Sequence, residues 1–320
     1  LDDIHQVSLP GSLRTIGGYA FSQSHFPLFE VPNTVTKIGK YAFSSNTKLT
    51  SIKLGAGCQV LPEGILSDCS ALKDIRLQEG ITTIPDRAFA NCTKLESISI
   101  PASVTTIGTT AAWNSSSPEG TDLPFYGCTS LKSVVFEDGS SDLTLSWHNY
   151  YGTSSTTTEN RGMFYYCPLE DVYLGRNIKY KQNSRYTFEA YPQSYGYSAF
   201  YNQPKLTKVT IGETVTELPA YLFYNCEQLG SLEILTNALS IIPKYAFDGC
   251  DIKELSLPNS VRTIGESAFA SNSNMTGANL GSSVETIGNS AFRSCNKLGD
   301  LELGNALISI EDYAFYEVGA

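Results

Sequence analysis

Two stretches of this chain repeat one phrase. VRTIGESAFA at residues 261–270 and VETIGNSAFR at 284–293 agree at V-x-T-I-G-x-S-A-F and lie 23 residues apart. The phenylalanine of the A-F pair serves as an anchor and falls at Phe21, Phe43, Phe89, Phe125, Phe164, Phe200, Phe223, Phe247, Phe269, Phe292 and Phe315, with Leu66 standing in once. Successive gaps are 22, 23, 23, 36, 39, 36, 23, 24, 22, 23 and 23, which makes twelve units on a base period of 23 with three consecutive long ones. One such unit has too little sequence to bury its own apolar face, whereas stacked units bury one another's.

Each unit has an internal grammar. A branched residue, two polar ones and Ile or Leu form a short extended piece, as in Val35-Thr36-Lys37-Ile38 and Val284-Glu285-Thr286-Ile287. Gly or Pro follows as a turn signal, and x-x-A-F then reads as one helical or 3₁₀ turn tucking Ala and Phe inward. L-x-x-I-x-L comes next with period-2 alternation, as in Leu72-Lys73-Asp74-Ile75-Arg76-Leu77, and Pro or Gly closes the coil at Pro32, Pro101, Pro258 and Gly281. The expected fold is therefore a leucine-rich-repeat solenoid, β-rich, of about twelve coils of ~23 residues, with a parallel sheet on one face and short strands and 3₁₀ or helical turns opposite. It is expected to form a single domain over residues 1–320.

The eight cysteines follow the same grammar. Cys69, Cys92, Cys128, Cys167, Cys226, Cys250 and Cys295 sit three residues after the anchor, in the slot that Asn46 and Asn272 hold elsewhere, and Cys58 holds the inward place of Val35 and Val104. A thiol in a repeated interior slot acts as a small hydrophobe and weak donor, and no C-x-x-C pair is present to hold a metal ion. The cysteines read as packing, and no cofactor or metal is implied.

The pattern C-x-x-L-x-x-I-x-[IL]-P-x-[ST]-V-x-x-I-G-x-x-A-F-x-x-C, with instances from Cys92 to Ala112, up to a broken A-F, and from Cys250 to Asn272, resembles the BspA-like (Treponema pallidum-type) leucine-rich repeat family. That resemblance implies a curved right-handed solenoid and a bacterial cell-surface or secreted protein that binds surface macromolecules of host or microbe in the manner of an adhesin. The common consensus L-x-x-L-x-L-x-x-N is not followed, because the Asn/Cys slot precedes the strand, so the usual asparagine ladder is not implied.

Departures from a repeat point to function. Ile100 to Phe125, Phe136 to Phe164 and Leu174 to Phe200 span 25, 28 and 26 positions, against 12 from Leu77 to Phe89. The insertions, placed within residues 108–124, 144–163 and 179–199, are expected to stack into one protrusion. They carry both tryptophans, and eleven of the nineteen tyrosines lie between Tyr150 and Tyr201 among Ser, Thr, Asn and Gly. Aromatics among small polar residues make large contact area at low entropic cost. Folding of these tyrosines onto the flank as a small core is the competing reading. The candidate ligand-binding residues are Trp113, Trp147, Tyr150, Tyr151, Tyr180, Tyr186, Tyr191, Tyr195 and Tyr197, with Tyr173 on the adjoining sheet. Along the sheet's outward column the middle coils place Val135 and Tyr173 where other coils mostly have polar or charged residues.

Other function classes are poorly supported. Net charge is −10 from 32 acidic and 22 basic residues, which argues against nucleic acid as a partner. Mean hydropathy is −0.13, and no apolar run approaches the roughly 18 residues of a membrane span. None of the three histidines sits in a metalloprotease motif, and nucleophile-elbow and phosphate-loop motifs are absent from the sequence. Glu137-Asp138-Gly139-Ser140-Ser141-Asp142 lacks calcium-loop spacing and reads as an acidic turn. The expectation is a non-enzymatic module that binds a surface or matrix protein. The alternatives are carbohydrate binding through Trp and Tyr, or a spacer for another domain. The segment itself inserts in no membrane; its location would be extracellular or at a bacterial surface, its signal or anchor lying outside this chain. Its ends open and close within coils, so a flanking domain or an end-to-end contact is expected.

Overall fold

The structure, a computed structural model, describes residues 7–108, 123–146, 162–164, 166–181 and 198–319. Most coils contribute a longer and a shorter strand to two parallel ladders. The alternating L-x-x-I-x-L piece gives the longer strand, with its central apolar residue inward: Ile52 in Ser51–Lys53 and Ile75 in Asp74–Arg76 are buried between exposed or half-exposed neighbours. These strands form three sheets: Leu28–Glu30, Ser51–Lys53 and Asp74–Arg76; then Ser97–Ile100, Ser133–Phe136, Asp171–Leu174, Lys208–Ile211 and Ser231–Ile234; then Glu254–Ser256, Gly277–Asn279 and Asp300–Glu302. The V-x-x-I piece gives the second ladder, in which Thr83–Ile84, Thr106–Ile107, Leu143–Leu145 and Ile178–Tyr180 pair in register. Every described pairing is parallel because each strand meets its equivalent one coil later, and together the ladders build a β-rich repeat solenoid.

The x-x-A-F segment is not helical, which corrects the sequence reading. Tyr41, Phe43 and Ser45 donate their amides to the carbonyls of Glu63, Ile65 and Ser67 in the next coil at 3.0, 3.1 and 2.7 Å, while Ser44 donates back to Tyr41 at 3.2 Å. A helix directs its amides along its own axis. Here alternate amides reach across the stack, and the chain achieves this with a left-handed residue two before and two after the anchor, Tyr41 at φ 57° and Ser45 at φ 58°. The pattern recurs at Arg87 and Asn91, Tyr221 and Asn225, and Ser290 and Ser294. Such a φ costs a non-glycine residue roughly 1–2 kcal/mol, which the ladder of inter-coil bonds offsets. The helical reading failed because a short x-x-A-F run has the composition of either turn, and only the neighbouring coil decides between them.

Inside, the anchors stack. Phe89, Phe125, Phe164, Phe200, Phe223 and Phe247 follow one another at ring-centroid distances of 5.6, 5.3, 5.4, 5.0 and 5.6 Å. The three lengthened coils therefore keep their anchors in the core.

A second column of bonds runs beside the rings. Cys69 Sγ donates to the carbonyl of Phe43 at 3.2 Å, Cys92 to Leu66 at 3.2 Å, Cys128 to Phe89 at 3.1 Å, Cys226 to Phe200 at 3.0 Å and Cys295 to Phe269 at 3.3 Å. Where the slot is not cysteine, an amide takes over: Asn46 Nδ2 donates to Phe21, Asn272 Nδ2 to Phe247 and Gln203 Nε2 to Phe164. A ladder thus exists after all, built mainly of thiols. All eight cysteines are buried thiols, and none is in a disulfide. Burial pushes the Cys69, Cys226 and Cys295 thiols up to about 12, which keeps them protonated as donors.

Candidate functional site

The three lengthened coils meet at the five-stranded sheet. Its outward column runs in register through Ser99, Val135, Tyr173, Thr210 and Glu233. Val135 and Tyr173 are side by side and partly exposed, so the sheet presents an apolar and aromatic spot among polar neighbours. Tyr173 is held rather than free: its hydroxyl donates to Asp138 Oδ2 at 2.8 Å. Partial burial, then that carboxylate, push the phenol up to about 12. Glycine is required beneath this pair, since a Cβ on Gly212 would lie 2.7 Å from both the Tyr173 hydroxyl and Asp138 Oδ1.

The excess length lies mostly after the second strand of each long coil, at residues 109–122, 147–161 and 182–197. Trp113, Trp147, Tyr150, Tyr151, Tyr186, Tyr191, Tyr195 and Tyr197 fall there and lie outside the described residues, as does the protrusion expected from them. Tyr180 is described, and its assignment to a contact surface is corrected. It is 7% exposed within the strand Ile178–Tyr180, and its hydroxyl accepts the Ala199 amide at 2.9 Å. Burial raises its pKa. Tyr180 ties the start of the third insertion to its end, which is the core role that competed with ligand contact in the sequence.

Part of the second insertion sits elsewhere. Phe136 to Leu143 is seven positions where Ile100 to Val104 is four, and the surplus forms the acidic turn. Its carboxylates face three different partners: Glu137 Oε1 accepts from Ser99 Oγ at 2.6 Å, Asp138 from Tyr173, and Asp142 Oδ1 from Asn177 Nδ2 at 3.1 Å. They secure the turn and do not converge on one point.

Beneath this turn lies a residue the sequence reading missed. Arg176 is 1% exposed, and it donates Nη1 to the carbonyls of Ala102 and Val104 at 2.6 and 2.7 Å and Nη2 to those of Pro101 and Ile100 at 2.6 and 3.3 Å. The Ile100 and Pro101 carbonyls also accept the amides of Glu137 and Val104, whereas those of Ala102 and Val104 are reached by the guanidinium fork from the coil beyond. Burial lowers its pKa, opposed by the charges of Glu137 and Glu79. Its signal in the sequence was an arginine, two residues past a strand end, in a coil next to a lengthened turn.

Comparison with known proteins agrees with this architecture. The BspA type leucine rich repeat region matches in six copies, over residues 2–119 and 193–319, so the unmatched stretch carries the second insertion and most of the third. Among curated proteins none matches the sequence. A leucine-rich repeat protein from Bacteroides ovatus ATCC 8483 is similar in structure with TM-score 0.60 and 26% identity, over 98% of this chain and 71% of that one. A leucine rich cell surface protein from Faecalibacterium prausnitzii A2-165 follows at TM-score 0.34 and 20% identity, covering 91% and 83% of the two chains. The pneumococcal vaccine antigen PcpA follows at 0.34 and 18%, covering 90% and 73%. No helix among the described residues is long and apolar enough to cross a membrane. With its repeat matched over most of its length, the chain belongs to the BspA-type leucine-rich repeat family.

Proposed function

We propose that the chain is a non-enzymatic binding module of a bacterial surface, adhesin-like, whose ligand is a surface or matrix protein of host or microbe. The observation that carries this reading is the coincidence in the middle coils of Val135 and Tyr173 on the open sheet face with the three insertions that hold both tryptophans. Tyr173 is pre-positioned by Asp138 and Gly212, so little rotamer entropy remains to be lost on contact. Trp113, Trp147, Tyr150, Tyr151, Tyr186, Tyr191, Tyr195 and Tyr197 belong to the same proposed surface, and Tyr180 does not.

The test is binding to a panel of immobilised matrix proteins by the parent chain, by Tyr173→Ala, and by a variant with all three insertions cut to the 23-residue period. Loss in both variants while each keeps its fold supports the reading. Unchanged protein binding by the shortened variant overturns the role of the insertions, and silence from the folded parent favours the spacer.

A further inference from the structure

The long ladder is interrupted twice, between Asp74–Arg76 and Ser97–Ile100 and between Ser231–Ile234 and Glu254–Ser256. Within the five-stranded sheet the residue after each strand donates to the last residue of the strand before: Glu137 to Ile100, Gly175 to Phe136, Gly212 to Leu174 and Leu235 to Ile211. The coil after the first break places Pro101 at that position and the coil after the second places Pro258 two residues past Ser256, and proline has no N–H to give.

At the first break no backbone hydrogen bond joins the two strands among the described residues. The strands part around a cleft of 460 Å³, lined by Asp74, Arg76 and Glu79 on one side and Ser97, Ser99 and Glu137 on the other. That volume lies within the ordinary range for small-ligand sites. Ser99 is oriented by its bond to Glu137, whereas the Arg76 fork and the Asp74 carboxylate stand exposed at the mouth.

The rest of the coil fixes the width of this opening. Across the same break Cys92 still bonds Leu66, Asp68 N donates to Ala90 O at 2.7 Å, and Thr83–Ile84 pairs with Thr106–Ile107 in the coil that follows. A peptide strand entering the gap would need about 4.8 Å of added separation, which would break those bonds. The occupant must therefore be small-featured, offer donors and acceptors in close alternation, and carry no negative charge, since three carboxylates line the cleft beside one guanidinium. Vicinal hydroxyls meet each condition, with one accepting from Arg76 and its neighbour donating to Asp74. We propose that this cleft is a binding site for a neutral saccharide, separate from the aromatic surface of the middle coils.

The experiment is an array of neutral, sialylated and uronic-acid glycans plus a lysine-rich peptide, probed with the parent chain, Arg76→Ala, Asp74→Ala and a shortened variant that lacks residues 109–122, 147–161 and 182–197 and keeps Glu137. Neutral glycans retained by the parent and by the shortened variant, with affinity falling tenfold or more in Arg76→Ala and Asp74→Ala at an unchanged thermal midpoint, are expected. The inference is overturned by retention of only acidic glycans or only the peptide, by retention of none, or by neutral-glycan binding indifferent to both point variants. Loss confined to the shortened variant would overturn it too and place saccharide contact in the aromatic coils instead.

Discussion

Arg176 donates to the carbonyl of Val104 at 2.7 Å across 72 positions of sequence, bridging the wide turn of the coil between them. A buried guanidinium whose two terminal nitrogens reach four carbonyls makes this side chain a structural strut of the lengthened coils. Arg176→Met would leave the Ala102 and Val104 carbonyls without their donor, each worth about 1–3 kcal/mol when buried and unmet, while Ile100 and Pro101 keep the amides of Glu137 and Val104. Partial hydration would reduce the sum, and the expected loss of stability is about 2–4 kcal/mol. Lysine restores charge without the fork, so Arg176→Lys is expected to recover less than half. Urea unfolding of the two variants checks the order, and equal stability of Arg176→Met and parent would refute the strut.

The thiol ladder predicts alkaline sensitivity. Folded Cys69, Cys226 and Cys295 lose their protons near 12, against about 8.5 in an unfolded chain. Raised pKa values mean that the folded state holds the protons more tightly. The associated stability is whole below pH about 8.5 and is lost as pH climbs from there toward 12. The thermal midpoint should be level in this respect from pH 7 to 8 and fall steadily above 9. A parallel fall in Cys→Ala variants at the three positions would show that other groups cause it.

How much of this was legible in the sequence follows from how local each determinant is. The anchor column, both strands and the interior cysteines are written as repeats, so twelve imperfect copies averaged out the ambiguity of any one. The left-handed residues were missed because Tyr41 and Arg87 are not residues that ordinarily take such a φ; the need for it comes from the neighbouring coil. The thiol ladder was half visible, since the shared slot of Cys and Asn was plain but its target, the preceding anchor's carbonyl, is a matter of stacking. Val135 and Tyr173 could be placed side by side by counting. Tyr180 could not be told apart from Tyr186 or Tyr191, because inside an insertion no period says which face is inward.

Asp248 predicts a stabilising substitution. Burial pushes its carboxyl up to about 6, opposed by a bond from Ser271 and the charge of Arg293, where an unfolded aspartate titrates near 3.9. Here the folded state binds the proton more tightly, so stability is fullest below pH about 4 and declines as pH rises through 6. Asp248→Asn removes the buried charge, and at pH 7 it is expected to raise stability by on the order of 1 kcal/mol, with the gain gone at pH 4. Equal midpoints of variant and parent at pH 7 would contradict this.

Gly212 tests whether Tyr173 must be held to act. A methyl at Gly212 would enter the space taken by the Tyr173 hydroxyl and Asp138 Oδ1, 2.7 Å from each. These two are side-chain ends, and the third close atom is the Gly175 Cα at 2.9 Å, so Gly212→Ala is expected chiefly to displace the pair, with a small shift against Gly175 that leaves the strand Lys208–Ile211 paired with Asp171–Leu174. Tyr173→Phe removes only the bond to Asp138 and keeps the ring. If the surface works by a pre-positioned ring, Gly212→Ala should weaken ligand binding at least tenfold and Tyr173→Phe should weaken it several-fold, about 1 kcal/mol for one hydrogen bond. Backbone amide exchange of residues 208–211 should match the parent in both. Full affinity in Gly212→Ala would mean that Tyr173 contributes area without orientation, and unprotected amides would assign the loss to the sheet.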